Sequence, residues 1–344
     1  SLHIMEQLSL SGISPKADFE NIPIIDVAAL KSPDRRERQR LAREIYDACT
    51  QVGFFYIKVT YISSRFQIPL IINICPAESW DIGGANNGSS RCGASILRPP
   101  RRAENGIFCG EVEEEISNAD DPCERTDTNN IGALLESFDI GYEILADPQR
   151  AADDVLPPDT YDLYGDNQWP SNEVLPKFRE TYLLYCAEAL TLCRRLMRSF
   201  ALALGLDEGF FDPVMNFPGV TSRLLHYPPQ TVEGEVRDGL GAHTVVTPPI
   251  PGTLVMNIAD CLSKWTNETF KSTVHRVINL TGQERYSIPF FFGVDYNTTV
   301  SVLPSCISDD RPACVKPFEA GKFVRAQLAK TYVAYGEEPS TKAR

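Results

Sequence analysis

The longest periodic pattern of the chain covers residues 174–204. Apolar and aromatic positions recur there at spacings of three and four, which is the pattern of a helix that buries one face. These positions are Tyr182, Tyr185, Cys186, Ala189, Leu192, Cys193, Leu196 and Phe200. Gly205 follows and supplies a helix stop. The pattern therefore predicts one long helix with a continuous buried face.

A shorter amphipathic pattern covers residues 33–51, where charges alternate with the apolar residues Leu41, Ile45 and Ala48. Ser32 and Pro33 precede it, so we expect Ser32 to cap this helix and Pro33 to occupy its first position. The helix should lead into a strand at residues 54–59. Near the carboxyl end, residues 323–332 also have helical character.

From Ser222 onward the pattern changes to short strands that alternate with turns. Residues 269–292 are rich in β-branched and aromatic residues and are interrupted at 281–283 by Thr-Gly-Gln. This arrangement predicts two strands joined by a turn. The alternation of short strands and turns is typical of a double-stranded β-helix of the jelly-roll type.

Three polar residues of these two strands carry candidate chemistry. His275 lies ten residues before Arg285, and Ser287 follows Arg285 in the spacing Arg-x-Ser. A neutral imidazole is a common metal ligand, and a guanidinium beside a hydroxyl suits a carboxylate. An exposed pair on a strand is the alternative for Arg285 and Ser287, but the apolar run at 288–292 favours an inward face. The segment therefore predicts a metal and a dicarboxylate bound in one barrel.

Residues 60–131 lack any regular pattern. Glycine, proline, asparagine and charged residues cluster there without a period of 2 or 3.6, which predicts loop or disorder. The apolar run at 68–75 is too short to cross a membrane. We therefore expect an irregular insert in this part of the chain.

Composition narrows the classes of partner and compartment. The 344 residues carry a formal net charge of −13, which argues against nucleic acid and anionic membranes as partners. The ten cysteines form no Cys-x-x-Cys pair, so free thiols in a reducing compartment are favoured over a disulfide framework. We expect a cytoplasmic protein, monomeric, with a small-molecule substrate.

Motifs in both halves of the chain resemble one known family. They lie at residues 22–26, 51–56, 136–143, 164–170, 223–229, 239–244, 251–260, 265–267 and 269–292. Together they resemble the iron(II)/2-oxoglutarate-dependent dioxygenases of the isopenicillin N synthase-like group, and the motifs at 136–143 and 164–170 resemble its fungal-type members. The resemblance covers about residues 21–59 and 133–336.

This resemblance implies an α+β protein with a mainly β core. The core would be a double-stranded β-helix (a jelly-roll, cupin-like barrel) with an N-terminal domain of helix and strand and a long backing helix, whose aromatics and cysteines would be packing residues. The implied domains are 1–59 (N-terminal dioxygenase-type domain), 60–131 (irregular insert), 132–215 (linker and backing helix), 216–336 (shortened barrel) and 337–344 (tail).

The resemblance also implies a site. His243 and His275 match the family's two histidine ligands of iron(II), and Arg285 with Ser287 matches its clamp for the C5 carboxylate of 2-oxoglutarate. Tyr227 would add a hydroxyl to the same cosubstrate, although a packing role fits it nearly as well. Ascorbate is a further implied cofactor. His226, in a His-Tyr-Pro-Pro turn, is predicted to be structural.

The chain departs from the family pattern at the metal site. The carboxylate ligand that normally stands two residues after the first histidine is replaced by Val245, which cannot ligate iron. His243 and His275 are only 32 residues apart, which predicts a deletion of barrel strands after His243. Asp238 and Asp260 are weak candidates for a substitute carboxylate. Some halogenases of the superfamily also lack this carboxylate, so halogenation is a minor alternative.

The resemblance therefore implies a 2-oxoglutarate- and iron(II)-dependent oxygenase that hydroxylates or oxidises a small organic substrate. We expect this reaction to belong to specialised metabolism. The missing carboxylate leaves open whether the chain is catalytically active. The alternatives are a catalytically inactive pseudoenzyme that binds 2-oxoglutarate, and a mis-spliced or defective product.

Overall fold

The computed structural model of the protein describes residues 22–58, 70–74, 136–227, 250–273 and 283–331. Within these ranges one sheet contains strands β1 (Ile24–Asp26), β2 (Phe54–Lys58), β3 (Leu70–Ile74), β4 (Glu136–Gly141), β5 (Pro218–Tyr227), β6 (Thr253–Ile258) and β7 (Arg285–Asp295). Their order across the sheet is β1-β2-β6-β3-β7-β5-β4. Two short strands, β8 (Thr299–Val300) and β9 (Phe318–Glu319), form a separate antiparallel pair.

The α-helices of the described ranges are α1 (Arg35–Gln51), α2 (Phe178–Ala203), α3 (Asp260–Trp265) and α4 (Ala320–Thr331). Helix α4 begins three residues earlier than predicted and ends at Thr331. Strand β2 matches the predicted strand up to Lys58, and Val59 lies outside the described residues.

Helix α2 buries the face that the periodicity predicts, since all eight apolar positions named for it are buried. The helix begins at Phe178 rather than at 174, because the preceding residues form a turn in which the Leu175 amide donates to the Ser171 carbonyl at 2.9 Å. Its end is as predicted. Gly205 adopts φ +71°, and the Leu206 amide donates back to the Ala201 carbonyl at 2.9 Å.

The predicted cap of α1 was wrong. Asp34, not Ser32, is the N-cap, and its carboxylate accepts a hydrogen bond from the Arg36 amide at 2.8 Å. Ser32 instead donates to Glu37 at 2.5 Å and accepts from the Asp34 amide at 3.1 Å. A carboxylate at this position both caps the helix and complements the positive end of its dipole, so it takes precedence over the serine two residues before.

The sheet has two different faces. One packs on α1 and α2 and forms the large hydrophobic core, which contains Phe55, Met256 and Phe290. The rings of Tyr185 on α2 and Phe290 on β7 meet edge to face, with centroids 5.9 Å apart. The opposite face carries a smaller apolar cluster of Phe54, Tyr56 and Val255. Because side chains alternate along a strand, β2 and β6 contribute to both faces.

Strand β3 corrects one sequence-based expectation. It lies inside the segment 60–131 that was predicted to be irregular, and it pairs in parallel with β6 and with β7. Four of its five residues are apolar, which is compatible with a strand, but its partners are far away in sequence, so the local pattern did not reveal it. The rest of 60–131 lies outside the described residues, and the proposed domain boundaries stay a prediction.

Candidate functional site

Antiparallel pairing of β5 with β7 brings three of the predicted site residues together. Tyr227 is directly opposite Arg285, and Leu225 is directly opposite Ser287. Directly opposed residues point to the same side of a sheet, with Cβ atoms about 4.5–5.5 Å apart, and residues two apart on one strand share a face. Arg285, Ser287 and Tyr227 therefore form one group, here called the polar patch.

Burial gives the polar patch its chemical character. Tyr227 and Ser287 are each 1 % exposed, and Arg285 is half-buried at the start of β7. Within the described part of the chain, the Ser287 hydroxyl makes no hydrogen bond and the Arg285 guanidinium makes no ion pair. A buried hydroxyl without a hydrogen bond is costly, and a guanidinium beside it supplies positive charge. The patch therefore fits a carboxylate ligand.

Register places two further polar residues on the same face, and the sequence-based prediction included neither. Arg223 lies four residues before Tyr227 on β5, is 6 % exposed and forms an ion pair with Asp139 on β4 at 2.8 Å. Asn257 on β6 is 1 % exposed and lies opposite Phe54, which belongs to the smaller apolar cluster. The spacing Arg-x-x-x-Tyr on one strand is the signal that could have found Arg223, since such residues share a face.

The face that packs on α2 carries different polar groups. His226 stacks on Tyr286, with ring centroids 4.7 Å apart and an interplanar angle of 15°. The structural role of His226 stays a prediction. Ser222 faces Tyr182 of α2, and burial raises the pKa of the Tyr182 hydroxyl well above its ordinary value. These groups are separated from the polar patch by the thickness of the sheet.

The predicted metal ligands His243 and His275, together with Val245 and Asp238, lie outside the described residues. Asp260 is the first residue of α3. In the parts of the chain that the structure describes, no group of three or more His, Cys, Asp or Glu side chains could hold a metal ion. The assignment of the two histidines as ligands therefore stays a prediction.

The chain that leads towards His275 is anchored at the corner between α1 and β2. The Lys271 amide donates to the Cys49 carbonyl at 2.9 Å, and the Thr273 hydroxyl donates to the Val52 carbonyl at 2.6 Å. Gly53 makes this contact possible, because a Cβ at this position would lie 2.2 Å from the Lys271 carbonyl oxygen. The anchor fixes the segment two residues before His275.

We expect Gly53→Ala to destabilise the fold by about 2–4 kcal/mol, because it combines a left-handed backbone with a backbone clash. Gly53 has φ +77°. Gly252 has a similar φ of +78°, but nothing lies within 4 Å of the position that a Cβ would take there. Gly252→Ala is thus the matched control, with an expected loss of about 1–2 kcal/mol from backbone strain alone. Urea denaturation of both variants measures the difference, and equal losses would contradict the role given to the Lys271 contact.

Two family models match the chain. The model of the 2OG-Fe(II) oxygenase superfamily matches residues 218–294, which contain the polar patch. The model described as non-haem dioxygenase in morphine synthesis N-terminal matches residues 22–68.

No helix within the described ranges is long and apolar enough to cross a membrane.

Relatives match over most of the chain. A 2-oxoglutarate-Fe(II) type oxidoreductase, ppzC, of Metarhizium rileyi is 27% identical, over 90% of this chain and 87% of its own. The 2-oxoglutarate-Fe(II) type oxidoreductase hxnY of Emericella nidulans is 27% identical over 94% of both chains. Fungal proteins are thus among the similar sequences, in line with the fungal-type motifs.

Solved structures share the fold. A full-length protein of Neurospora crassa in complex with alpha-KG superposes with a TM-score of 0.60 at 23% identity, over 92% of this chain and 99% of that one. JOX2 in complex with 2OG, Fe and JA superposes with a TM-score of 0.56 at 19% identity, over 95% of this chain and 96% of that one. These likenesses confirm the predicted double-stranded β-helix, although the described strands form an open sheet. The chain belongs to the 2-oxoglutarate- and iron(II)-dependent oxygenase superfamily.

Proposed function

We propose that this chain binds 2-oxoglutarate through the polar patch and, with iron(II), hydroxylates or otherwise oxidises a small organic substrate. The observation that supports this most directly is the shared face of Arg285, Ser287 and Tyr227, in which a buried hydroxyl is left for a ligand. The chemistry of the patch and the family of the chain agree, since the patch fits a carboxylate and the cosubstrate of the family, 2-oxoglutarate, carries carboxylates.

Each residue of the patch has a distinct role in holding the cosubstrate. The Arg285 guanidinium would donate two hydrogen bonds to the C5 carboxylate, a geometry that a planar fork favours. The Ser287 hydroxyl would donate a hydrogen bond to the same carboxylate, and the Tyr227 hydroxyl would donate a further hydrogen bond to the cosubstrate. Because Ser287 and Tyr227 are buried, these bonds would form away from water, where charge-assisted hydrogen bonds are stronger.

Iron(II) and 2-oxoglutarate, when bound, would supply the oxidising power: 2-oxoglutarate would be converted with O₂ into succinate and CO₂, with one oxygen atom of O₂ entering the succinate and the other the substrate. We propose His243 and His275 as the ligands of iron(II) and ascorbate as an accessory reductant. Val245, at the third position of the family pattern, has no atom that could ligate iron, so the two histidines are the protein ligands of this proposal.

In the pseudoenzyme interpretation, the chain binds 2-oxoglutarate through the same patch but does not catalyse a reaction. Neither the comparisons nor the described part of the chain favours it over an active oxygenase. Succinate formation in the presence of iron(II), 2-oxoglutarate and O₂ separates the two, because only an oxygenase makes succinate.

We expect Ser287→Ala to weaken 2-oxoglutarate binding about ten- to hundredfold, since a hydrogen bond to a charged group contributes about 1.5–3 kcal/mol. The ligand-free protein should keep or gain thermal stability, because the buried Oγ makes no hydrogen bond in the described part of the chain. This combination separates a binding role from structural damage. Calorimetric titration with iron(II) present and oxygen excluded measures the affinity.

Ser222→Ala is the matched control. Ser222 and Ser287 are both 1 % exposed serines of neighbouring strands, but Ser222 lies on the face that packs on α2. Its replacement should leave the affinity for 2-oxoglutarate unchanged. Equal effects of the two substitutions would contradict the assignment of the patch.

Composition supports the remaining parts of the proposal. A net charge of −13 favours a small-molecule substrate over nucleic acid. We expect a monomeric, cytoplasmic enzyme of specialised metabolism. Light scattering of the purified protein tests the monomer, and a dimer at micromolar concentration would refute it.

A further inference from the structure

Strand β3 joins two groups of strands within the described sheet. On one side of it lie β6, β2 and β1, and on the other lie β7, β5 and β4. Both neighbours of β3 pair with it in parallel, and within the described residues β6 and β7 do not pair with each other. Without β3 the sheet would therefore divide into two three-stranded groups.

The pairing of β3 is continuous on both sides. Residues 71–74 pair with 255–258 of β6, and residues 70–74 pair with 288–292 of β7. Neighbouring strands lie about 4.8 Å apart, so removal of β3 would leave a gap of about 10 Å between β6 and β7. Two rows of backbone groups would lose their hydrogen-bond partners, which is costly in a protein interior.

This strand borders the polar patch. Leu70 is in register with Ile288, the residue that follows Ser287 on β7. Strand β7 is thus held by β5 on one side, where Tyr227 and Leu225 face Arg285 and Ser287, and by β3 on the other. A strand paired on both sides cannot shift its register without breaking both ladders.

We propose that residues 70–74 serve as a substitute barrel strand that positions the cosubstrate clamp on β7. The strand comes from the segment that departs from the family pattern, and it completes the sheet in a chain whose interval between His243 and His275 is shortened. The run Leu-Ile-Ile-Asn-Ile suits a central strand, since parallel strands paired on both sides are rich in β-branched residues. The proposal rests on the proposed binding of 2-oxoglutarate by Arg285 and Ser287.

The first test uses Ile72→Pro. Proline at position 72 would remove a backbone donor from a strand that is paired on both sides. Affinity for 2-oxoglutarate should therefore fall at least tenfold while far-ultraviolet circular dichroism of the helices persists. Ile72→Val keeps a β-branched residue and should retain wild-type affinity. Wild-type affinity in Ile72→Pro would overturn the proposal.

A second test holds even if Ile72→Pro fails to fold. Asn73 is in register with Asn257, so the paired change Asn73→Cys with Asn257→Cys should form a disulfide on mild oxidation, since neighbouring strands lie within the Cα range that a disulfide spans. The pair Asn73→Cys with Val255→Cys is two residues out of register and should not. Peptide mass spectrometry identifies the link. Its absence from the in-register pair would overturn the placement of β3.

The two proposals fail in different ways. If the wild-type protein binds no 2-oxoglutarate, the proposed function is wrong and the role of β3 as a positioning strand falls with it, although the disulfide still decides where the strand lies. If the wild-type protein binds 2-oxoglutarate and Ile72→Pro binds it equally well, only the role of β3 is wrong.

Discussion

Replacement of Arg285 by methionine should weaken 2-oxoglutarate binding by about a hundredfold or more. The guanidinium is the positive charge of the polar patch, and it would form two charge-assisted hydrogen bonds, each contributing about 1.5–3 kcal/mol. Methionine has a similar length and keeps the apolar contacts of the side chain but no donor. Calorimetric titration with 2-oxoglutarate, with iron(II) present and oxygen excluded, measures the loss.

Two further variants sharpen this test. Arg285→Lys keeps the charge but not the planar fork, so its affinity should lie between those of the wild type and Arg285→Met. Arg198→Met removes an arginine that is paired with Asp212 at 2.8 Å on the surface, and it should bind normally. An Arg285→Met protein that is folded and binds with wild-type affinity would show that the cosubstrate is held elsewhere.

Replacement of Arg194 by methionine should destabilise the fold by about 3–5 kcal/mol, the usual cost of breaking a buried ion pair. Arg194 on α2 binds Asp147 with both terminal nitrogens, each at 2.6 Å, and also donates to the Met215 carbonyl at 3.1 Å. Tyr142 donates to the same carboxylate at 2.6 Å. The side chain of Asp147 is fully buried, so the variant would leave a buried charge without its cation.

Chemical denaturation measures this loss, with Arg198→Met as the exposed counterpart and an expected change of no more than about 1 kcal/mol. Similar losses in the two variants would contradict the importance of burial. The pH dependence gives a second check. Burial acts to raise the pKa of Asp147, but the hydrogen bonds from Arg194, Tyr142 and the Gln149 amide outweigh it and lower that pKa below its ordinary value.

Because its pKa is lowered in the folded state, Asp147 stabilises the protein at pH values above the ordinary pKa of an aspartate. This stabilisation is lost as the pH falls through the folded-state pKa. In Arg194→Met the burial persists without the cation, which favours the neutral carboxyl. The difference in unfolding free energy between the wild type and the variant should therefore shrink as the pH is lowered from 7 towards 3. A constant difference over this range would contradict the assignment.

Local sequence patterns correctly predicted the features that depend only on the spacing of residues within one helix or strand. The buried face of α2 follows from spacings of three and four, and the shared face of Arg285 and Ser287 follows from alternation on one strand. The addition of Tyr227 to that face required the register between β5 and β7. Arg223 shares the alternation of Tyr227, but its ion pair with Asp139 depends on the pairing of β5 with β4, which no local pattern specifies.

Non-local pairing explains what the sequence could not provide. Strand β3 is specified by partners about 180 and 220 residues further along the chain, so its local surroundings of turn formers and charges predicted an irregular segment. The prediction of the α1 cap was wrong for a different reason. Ser32 and Asp34 are both good caps, and only the geometry shows that the aspartate accepts the helix amide.

The most direct test of the account is an anaerobic titration of the folded protein with iron(II) and 2-oxoglutarate, followed by visible absorption. We expect a metal-to-ligand charge-transfer band that saturates at one equivalent, that is lost in His275→Ala, and that requires a much higher 2-oxoglutarate concentration in Arg285→Met. A folded wild-type protein that gives no band and binds no 2-oxoglutarate would contradict the proposal that this chain retains the cofactor site of its family.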